Sequence, residues 1–184
     1  MNNQERGAAL QTALEFGEQA PQVEVRRSER RQRTVSARLR DGKLVVYLPG
    51  SMSEVEERKW VAEMARRFEA RALRRRLNSD GELHRRAAEL NRQYFGGRLS
   101  WKSLEYVTNQ SSRYGSCTPG EGTIRISSAL AGMPRWVRDY VLMHELAHLV
   151  EANHSKRFWA LVNRYPLTER ARGYLIAKGI EEES

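Results

Sequence analysis

Three of the chain's four histidines lie within one eleven-residue stretch, and their spacing constrains the local fold more than any other feature of the sequence. The stretch begins His144-Glu145-Leu146-Ala147-His148 and ends at His154. On an α-helix of about 3.6 residues per turn, positions 144 and 148 lie one turn apart on the same face, so both imidazoles can bind one ion. Most other positions from 136 to 150 are apolar, which predicts that this helix is buried.

A third nitrogen ligand is expected from His154, six residues after His148. Asn153 precedes it, and asparagine readily adopts the left-handed conformation that ends a helix, so we expect the chain to turn back here. Three protein ligands are typical of catalytic zinc, because an open fourth position holds water. Glu145 is then placed as the general base for that water, which predicts hydrolysis. The alternative is a buried helix with two hydrogen-bonded histidines and no metal.

Two known zinc-site patterns compete for the third ligand. The metzincin pattern has a histidine at the spacing of His154, but Glu151 stands where metzincins have glycine, and no methionine follows Met143 to form their Met-turn. In the gluzincin pattern a downstream glutamate is the ligand, and Glu169 lies at a compatible distance. We favour His154, because Glu169 also suits the first turn of a helix. Glu151 is either an acceptor that orients His148 or a solvated side chain.

The charge of the chain points to a second kind of partner. The sequence has 32 Lys+Arg against 23 Asp+Glu, a formal net charge of +9, which suggests nucleic acid or a phosphate-bearing ligand. Residues 1–100 hold 21 Lys+Arg and 14 Asp+Glu, so most of the excess lies away from the histidines. On one helix, Arg67, Arg71, Arg74 and Arg75 share a broad face that can follow phosphates, and a solvated face is the alternative. The other basic residues of this half include Arg26, Arg27, Arg30, Arg31, Arg33, Arg38, Arg40, Arg58, Lys59, Arg66 and Arg76.

The length of 184 residues suits one domain with a core of its own. The lone Cys117 excludes an intramolecular disulfide, and the first residues lack the order of a secretory signal. No apolar run approaches the roughly 18 residues that a membrane helix needs. We therefore expect a cytoplasmic monomer without membrane contact. Its expected parts are a flexible tail over 1–21 and a single domain over 22–184, made of a basic β-hairpin (22–50), a helical hairpin (53–96) and a zinc-binding catalytic part (99–184).

Local patterns predict an α+β fold. Alternating apolar residues on both sides of Asp41-Gly42 indicate the β-hairpin, because this dipeptide favours a two-residue turn. Ser53 and Glu56 have the spacing of a capping box at the start of the first long helix. Two short β-like segments, 99–107 and 123–127, are expected to pair antiparallel and form a small antiparallel sheet beside the buried histidine helix.

Longer motifs surround the histidine helix. They are Ser112-Arg113-Tyr114-Gly115-Ser116-Cys117 ahead of Gly122-Thr123-Ile124-Arg125-Ile126, and Asn153-His154-Ser155-Lys156-Arg157-Phe158-Trp159 after the helix. With the basic stretch from Arg26 to Arg33, they make the chain resemble, from Val23 onward, the YgjP-like metallopeptidase family, small zincins related to SprT-like proteins. Two positions depart from the family pattern: Tyr114 replaces the usual Trp, and Ser127 replaces the usual Asn.

The resemblance implies a zincin-like, minimal metalloprotease fold and a zinc-dependent hydrolase, with His144, His148 and His154 as ligands and Glu145 as catalytic base. It also implies an edge strand beside the active-site helix, where an extended peptide or protein substrate can pair. Candidate groups for stabilising the developing oxyanion are Arg113, Tyr114 and Arg125. Two alternatives stay open at this point: a metal-dependent phosphohydrolase acting on nucleotides, and a nucleic-acid-binding protein whose zinc site is structural or vestigial.

Overall fold

The computed structural model of the chain describes residues 22–110 and 113–179, and these residues divide into two compact units with the boundary between Ala70 and Arg71. Strands and helices occur in both units, which confirms the α+β class. The flexible tail predicted over residues 1–21 lies outside the described residues. That residues 22–184 act as a single domain stays a prediction.

The first unit contains a three-stranded sheet with the order β1-β3-β2. The predicted hairpin is formed by β2 and β3, which pair antiparallel. Asp41 and Gly42 both have positive φ, 50° and 75°, as a two-residue turn of the type favoured in hairpins requires. The third strand, β1, pairs parallel to β3 and was not predicted, since only two valines alternate with charged residues there. The strands are β1 (Val23–Ser28), β2 (Ser36–Arg40) and β3 (Lys43–Pro49).

Helix α1 (Glu54–Leu77) follows the sheet and begins with the predicted capping box. The Ser53 hydroxyl donates to Glu56 Oε2 at 2.7 Å, and the Glu56 amide donates back to Ser53 Oγ at 3.3 Å. Half-buried apolar residues of this helix pack on one face of the sheet, against Leu44, Val46 and Leu48. The helix contributes Val61, Met64, Ala65 and Phe68 to this small core.

The second unit places a long buried helix against a three-stranded sheet and three further helices. Its central helix, α3, contains both His144 and His148, and it packs on α2, on α4 and α5, and on strand β5. Short 3₁₀ turns cover Pro119–Glu121 and Ser128–Gly132. The elements are α2 (Glu82–Phe95), β4 (Ser103–Val107), β5 (Gly115–Thr118), β6 (Thr123–Ser127), α3 (Arg135–His148), α4 (Lys156–Val162) and α5 (Thr168–Ala177).

The sheet of the second unit corrects the predicted strand pairing. Its order is β4-β6-β5, with β4 parallel to β6 and β5 antiparallel to β6, so the expected antiparallel pairing of segments 99–107 and 123–127 is wrong. The reason is the strand β5 in the connection between them. It forms a tight hairpin with β6 through the Pro119–Glu121 turn, which leaves the opposite edge of β6 for β4. The sheet is mixed, and β5 forms one of its edges.

A buried ion pair joins α2 to α3. Arg86 donates two hydrogen bonds to the Asp139 carboxylate, at 2.7 and 2.8 Å, and Asp139 is only 4% exposed. These bonds raise the pKa of the Arg86 guanidinium. The two helices predicted as a helical hairpin, α1 and α2, are present at the predicted positions, and their side-by-side packing stays a prediction. Within the described residues, no helix is both long and apolar enough to cross a membrane.

Candidate metal centre

The three clustered histidines converge in the structure. His144 Nε2 lies 3.2 Å from His148 Nε2 and 3.1 Å from His154 Nε2. Nitrogen ligands about 2.0–2.1 Å from a tetrahedral zinc ion are about 3.3 Å apart, so these separations fit one shared ion. Within the described part of the chain, these three residues form the one group of His, Cys, Asp or Glu side chains whose ligand atoms gather in this way.

His154 reaches the other two histidines through a tight turn after α3. The amides of Val150 and Glu151 both donate to the Ala147 carbonyl at 2.9 Å, which closes the helix. The Ser155 hydroxyl then accepts from the Phe158 amide at 3.2 Å and starts α4, as a helix cap does.

The expected left-handed conformation of Asn153 is wrong. Among the described residues, Asp41 is the one non-glycine with positive φ. The chain turns instead through an ordinary right-handed helix end at Leu149, and bonds between neighbouring backbone groups complete the reversal, including one of 2.7 Å from the Ser155 amide to the Asn153 carbonyl. The third nitrogen is therefore presented without a left-handed residue.

A backbone carbonyl fixes the tautomer of His148. Its Nδ1 lies 3.3 Å from the Glu151 carbonyl oxygen, which can only accept, so Nδ1 carries the proton and donates it. In a neutral ring this leaves a lone pair on Nε2, the atom that faces His144 and that a metal requires. The predicted alternatives for Glu151 concerned its carboxylate, whereas the group found beside His148 is its main chain. A role of the Glu151 side chain stays a prediction.

Aromatic side chains enclose the histidines. Phe158 is fully buried, and its ring centroid lies 4.8 Å from that of His144, 4.5 Å from that of His148 and 4.8 Å from that of His154. Trp159 stacks on His154 with a centroid separation of 5.8 Å and an interplanar angle of 26°. Two adjacent aromatic residues at the start of α4 thus fix the rings that carry the ligand nitrogens.

Glu145 is buried beside the histidines, with 4% of its surface exposed, and lies against strand β5. Its carboxyl packs on Gly115: a Cβ at position 115 would lie only 2.7 Å from Glu145 Cδ and 2.8 Å from Cγ. The backbone of Gly115 has no positive φ, so space and not conformation requires glycine there. The sequence analysis did not assign this role, and its one signal was a glycine between bulkier residues of the Ser112–Cys117 motif.

Burial shifts the pKa values of two of the histidines and of Cys117. It lowers the pKa of His144 to about 3, with smaller contributions from His148, His154 and Arg172, and it also lowers the pKa of His148. Burial, and then the charge of Glu145, raise the pKa of Cys117 to about 12, so its thiol is protonated at neutral pH. The lowered pKa values favour the uncharged form of His144 and His148, as metal ligation requires, while Cys117 is not a thiolate.

Arg172 is a charged neighbour that the sequence analysis missed. It lies on α5, with its Cζ 4.9 Å from the centroid of the Trp159 ring that stacks on His154. It also donates to Glu169 Oε1 at 3.2 Å, and the Glu169 side chain is 77% exposed. Glu169 therefore points to Arg172 and solvent, and it is absent from the three-histidine group of the described residues. The gluzincin alternative receives no support.

The three candidate oxyanion groups lie on strand β6 or just before strand β5. Arg113 is exposed just before β5, and Tyr114 is 7% exposed in the core, where burial raises its pKa. Arg125 is exposed on β6 between the buried residues Ile124 and Ile126, so its side chain projects from the sheet face opposite theirs. Contacts of these three residues with a substrate stay predictions.

One of three comparisons with known proteins identifies the family of the chain. The crystal structure of the metallopeptidase zymogen of Pyrococcus abyssi abylysin is similar at 22% identity, covering 50% of this chain and 91% of that one, with a TM-score of 0.44. No curated protein matches the chain. A family model described as "YgjP-like, metallopeptidase domain" matches residues 70–176, more than half of the sequence and all four residues of the histidine and glutamate cluster. The chain therefore belongs to the YgjP-like metallopeptidase family.

Proposed function

We propose that this protein is a zinc-dependent peptidase, with His144, His148 and His154 as the metal ligands and Glu145 as the general base. The observation that carries the proposal is the convergence of three histidine Nε2 atoms, 3.1 and 3.2 Å apart, next to a buried glutamate. Membership of a metallopeptidase family supports the reaction class. The metal is assigned as zinc because an all-imidazole set of three ligands suits zinc better than magnesium, calcium or manganese.

The residues present fit such an ion. Two nitrogens, on His144 and His148, come from one face of α3, and the third comes from the turn that follows. The proton on His148 Nδ1 is held by the Glu151 carbonyl, so the lone pair on Nε2 points inward. The rings are held by Phe158 and Trp159, which reduces the entropy lost on binding.

Zinc bound by these ligands would supply Lewis acidity and lower the pKa of its water toward about 7. Glu145 then accepts the proton of the water that attacks a peptide carbonyl, and it delivers that proton to the leaving amine. The packing of its carboxyl against Gly115 restricts where the carboxylate can lie, which is the positional control that general-base catalysis needs.

Strand β5 is proposed as the substrate-binding edge. Among the residues that the structure describes, it pairs on one side only, with β6, and it packs against α3. An extended peptide can add to the open side through backbone hydrogen bonds. Because Gly115 at one end of β5 touches Glu145, a peptide on this edge would pass beside the general base. Arg113, which immediately precedes the strand, is proposed as a further contact with that peptide.

Substitution of Glu145 tests the proposal. The full chain is purified, its zinc content is measured, and a panel of peptides and unfolded proteins is assayed beside a panel of nucleotides. We expect about one zinc per chain and peptide cleavage that falls by about 10²–10⁴-fold in Glu145→Gln, with zinc retained. Glu121→Gln, an exposed carboxylate in the turn before β6, is the matched control and should keep full activity.

Three results would overturn the proposal. One is a folded wild-type chain that does not bind zinc when it is supplied. Another is peptide cleavage that Glu145→Gln leaves unchanged. The third is nucleotide hydrolysis that depends on Glu145 without any peptide cleavage, which would establish the phosphohydrolase alternative.

A further inference from the structure

One face of the sheet of the first unit carries four basic side chains, Arg26, Arg38, Arg40 and Lys43. Residues that face one another across the three strands form rows. One row consists of Arg26, Tyr47 and Ser36, and the next consists of Glu24, Val45 and Arg38. Neighbouring residues across strands share a face, and residues two apart along a strand share it too. The third row is Lys43 with Arg40, and Arg31 lies over the Tyr47 ring at 5.3 Å.

The opposite face of this sheet is already occupied. Leu44, Val46 and Leu48 alternate with the residues of the basic face, and they pack against α1. On the basic face the side chains of Arg26, Arg38, Arg40 and Lys43 are exposed, while Val45 between them is buried.

Several acidic side chains of the unit form ion pairs away from the basic face. Glu57 pairs with Arg27 on the α1 side of the sheet, and Glu63 binds both Arg66 and Arg67 along the helix. On the basic face, Glu24 pairs with Arg26 at 2.6 Å, and Asp41 sits in the turn at its end.

Three further cations lie on this face beside Arg26. Within the described part of the chain, Arg38, Arg40 and Lys43 form no ion pair. Among the described residues, the face therefore presents three cations that no ion pair compensates.

We propose that this face binds the phosphate backbone of nucleic acid. Side chains two residues apart on a strand are about 6.6 Å from one another, and neighbouring strands are about 4.8 Å apart. Cations at these spacings can contact several phosphates of one nucleic-acid backbone together. An acidic membrane is the less suitable partner, because the exposed apolar residues Val23, Val25 and Leu39 project from the other face of the sheet. The unit precedes nearly all of the residues that the family model matches.

Fluorescence anisotropy of the full chain with labelled DNA tests this proposal. The probes are a single-stranded oligo(dT) of about 20 nucleotides and a duplex of the same length, titrated over a range of KCl concentrations. We expect salt-dependent binding to at least one probe. The variant Arg38→Gln/Arg40→Gln/Lys43→Gln should bind about tenfold or more weakly, with a salt slope smaller by about 2–3, since each lost phosphate contact removes about 0.7–0.9.

A matched variant removes charge from the same unit but not from this face. Arg58→Gln/Lys59→Gln/Arg66→Gln takes away three exposed cations of α1, the same number as the sheet variant, and it should bind within about twofold of wild type. Equal weakening by both variants would overturn the proposal, because it would indicate an effect of net charge alone. So would weakening by Arg71→Gln/Arg74→Gln/Arg75→Gln with the sheet variant unaffected, or binding to phosphatidylserine vesicles without binding to DNA. Peptide cleavage is not used as a readout, so failure here leaves the proposed peptidase untouched.

Discussion

The two units of the chain place their charged and polar groups in opposite ways. The second unit buries its functional groups: Glu145 and Asp139 are each 4% exposed, and His144 is mostly enclosed by aromatic rings. The first unit keeps its charges at the surface, on a sheet face and along a helix. A buried charge or imidazole needs a specific hydrogen-bonding or ionic partner, whereas a charged residue at the surface can be replaced at little cost in stability. Polar interactions are therefore concentrated in a few buried residues in one unit and distributed over many surface residues in the other.

The buried and exposed ion pairs give the largest expected difference between the units. Asp139→Ala leaves Arg86 without its main partner inside the second unit, and we expect the free energy of unfolding to fall by about 3–5 kcal/mol. Glu57→Ala removes the partner of Arg27 in the first unit, where the Arg27 side chain is 41% exposed, and should cost about 0–1 kcal/mol. Urea unfolding of both variants measures the two values. Similar losses of unfolding free energy in the two variants would show that the buried and the exposed ion pair do not differ in their contribution to stability.

An intermediate effect is expected where β5 meets Glu145. The added methyl group of Gly115→Ala would clash with the carboxyl group of Glu145. We expect the free energy of unfolding to fall by about 1–3 kcal/mol and peptide cleavage to slow by about 10–100-fold, with zinc still bound. Gly120→Ala is the matched control, because a Cβ there meets nothing within 4 Å. Steady-state kinetics and zinc content are compared for the two variants. Wild-type kinetics in Gly115→Ala would show that the position of Glu145 is not limited by this contact.

The smallest effect concerns a single charge near the ligands. The positive charge of Arg172 opposes positive charge at His144, so Arg172→Gln should let the site bind zinc a few-fold more tightly, by about 0.5–1 kcal/mol. Arg170→Gln on the same helix is matched to it, since Arg170 lies over Trp136 at 4.7 Å much as Arg172 lies over Trp159. Competition with a chelating dye measures the zinc affinity of both variants. Tighter binding in the Arg170 variant, or weaker binding in the Arg172 variant, would contradict this assignment.

Features that depend on local spacing were predictable from the sequence. The one-turn separation of His144 and His148, the Ser53 cap and the Asp41-Gly42 turn each involve neighbours a few residues apart, and each has the predicted geometry. What was missed depends on distant parts of the chain. The order of the β4-β6-β5 sheet, the packing of Gly115 on Glu145 and the approach of Arg172 to the ligands arise from tertiary contacts, which no local pattern encodes. The error at Asn153 came from a residue preference that the local turn overrode.

One hydrogen bond described above has an evolutionary consequence. The proton on His148 is anchored by the carbonyl of residue 151, and every amino acid supplies that carbonyl. Position 151 is therefore free to vary in side chain without loss of the tautomer, provided that the turn after α3 keeps its shape. In related proteins the residue at position 151 can thus differ while its carbonyl still accepts the proton of His148 Nδ1. Selection would then act on the backbone conformation of the turn and not on the side chain.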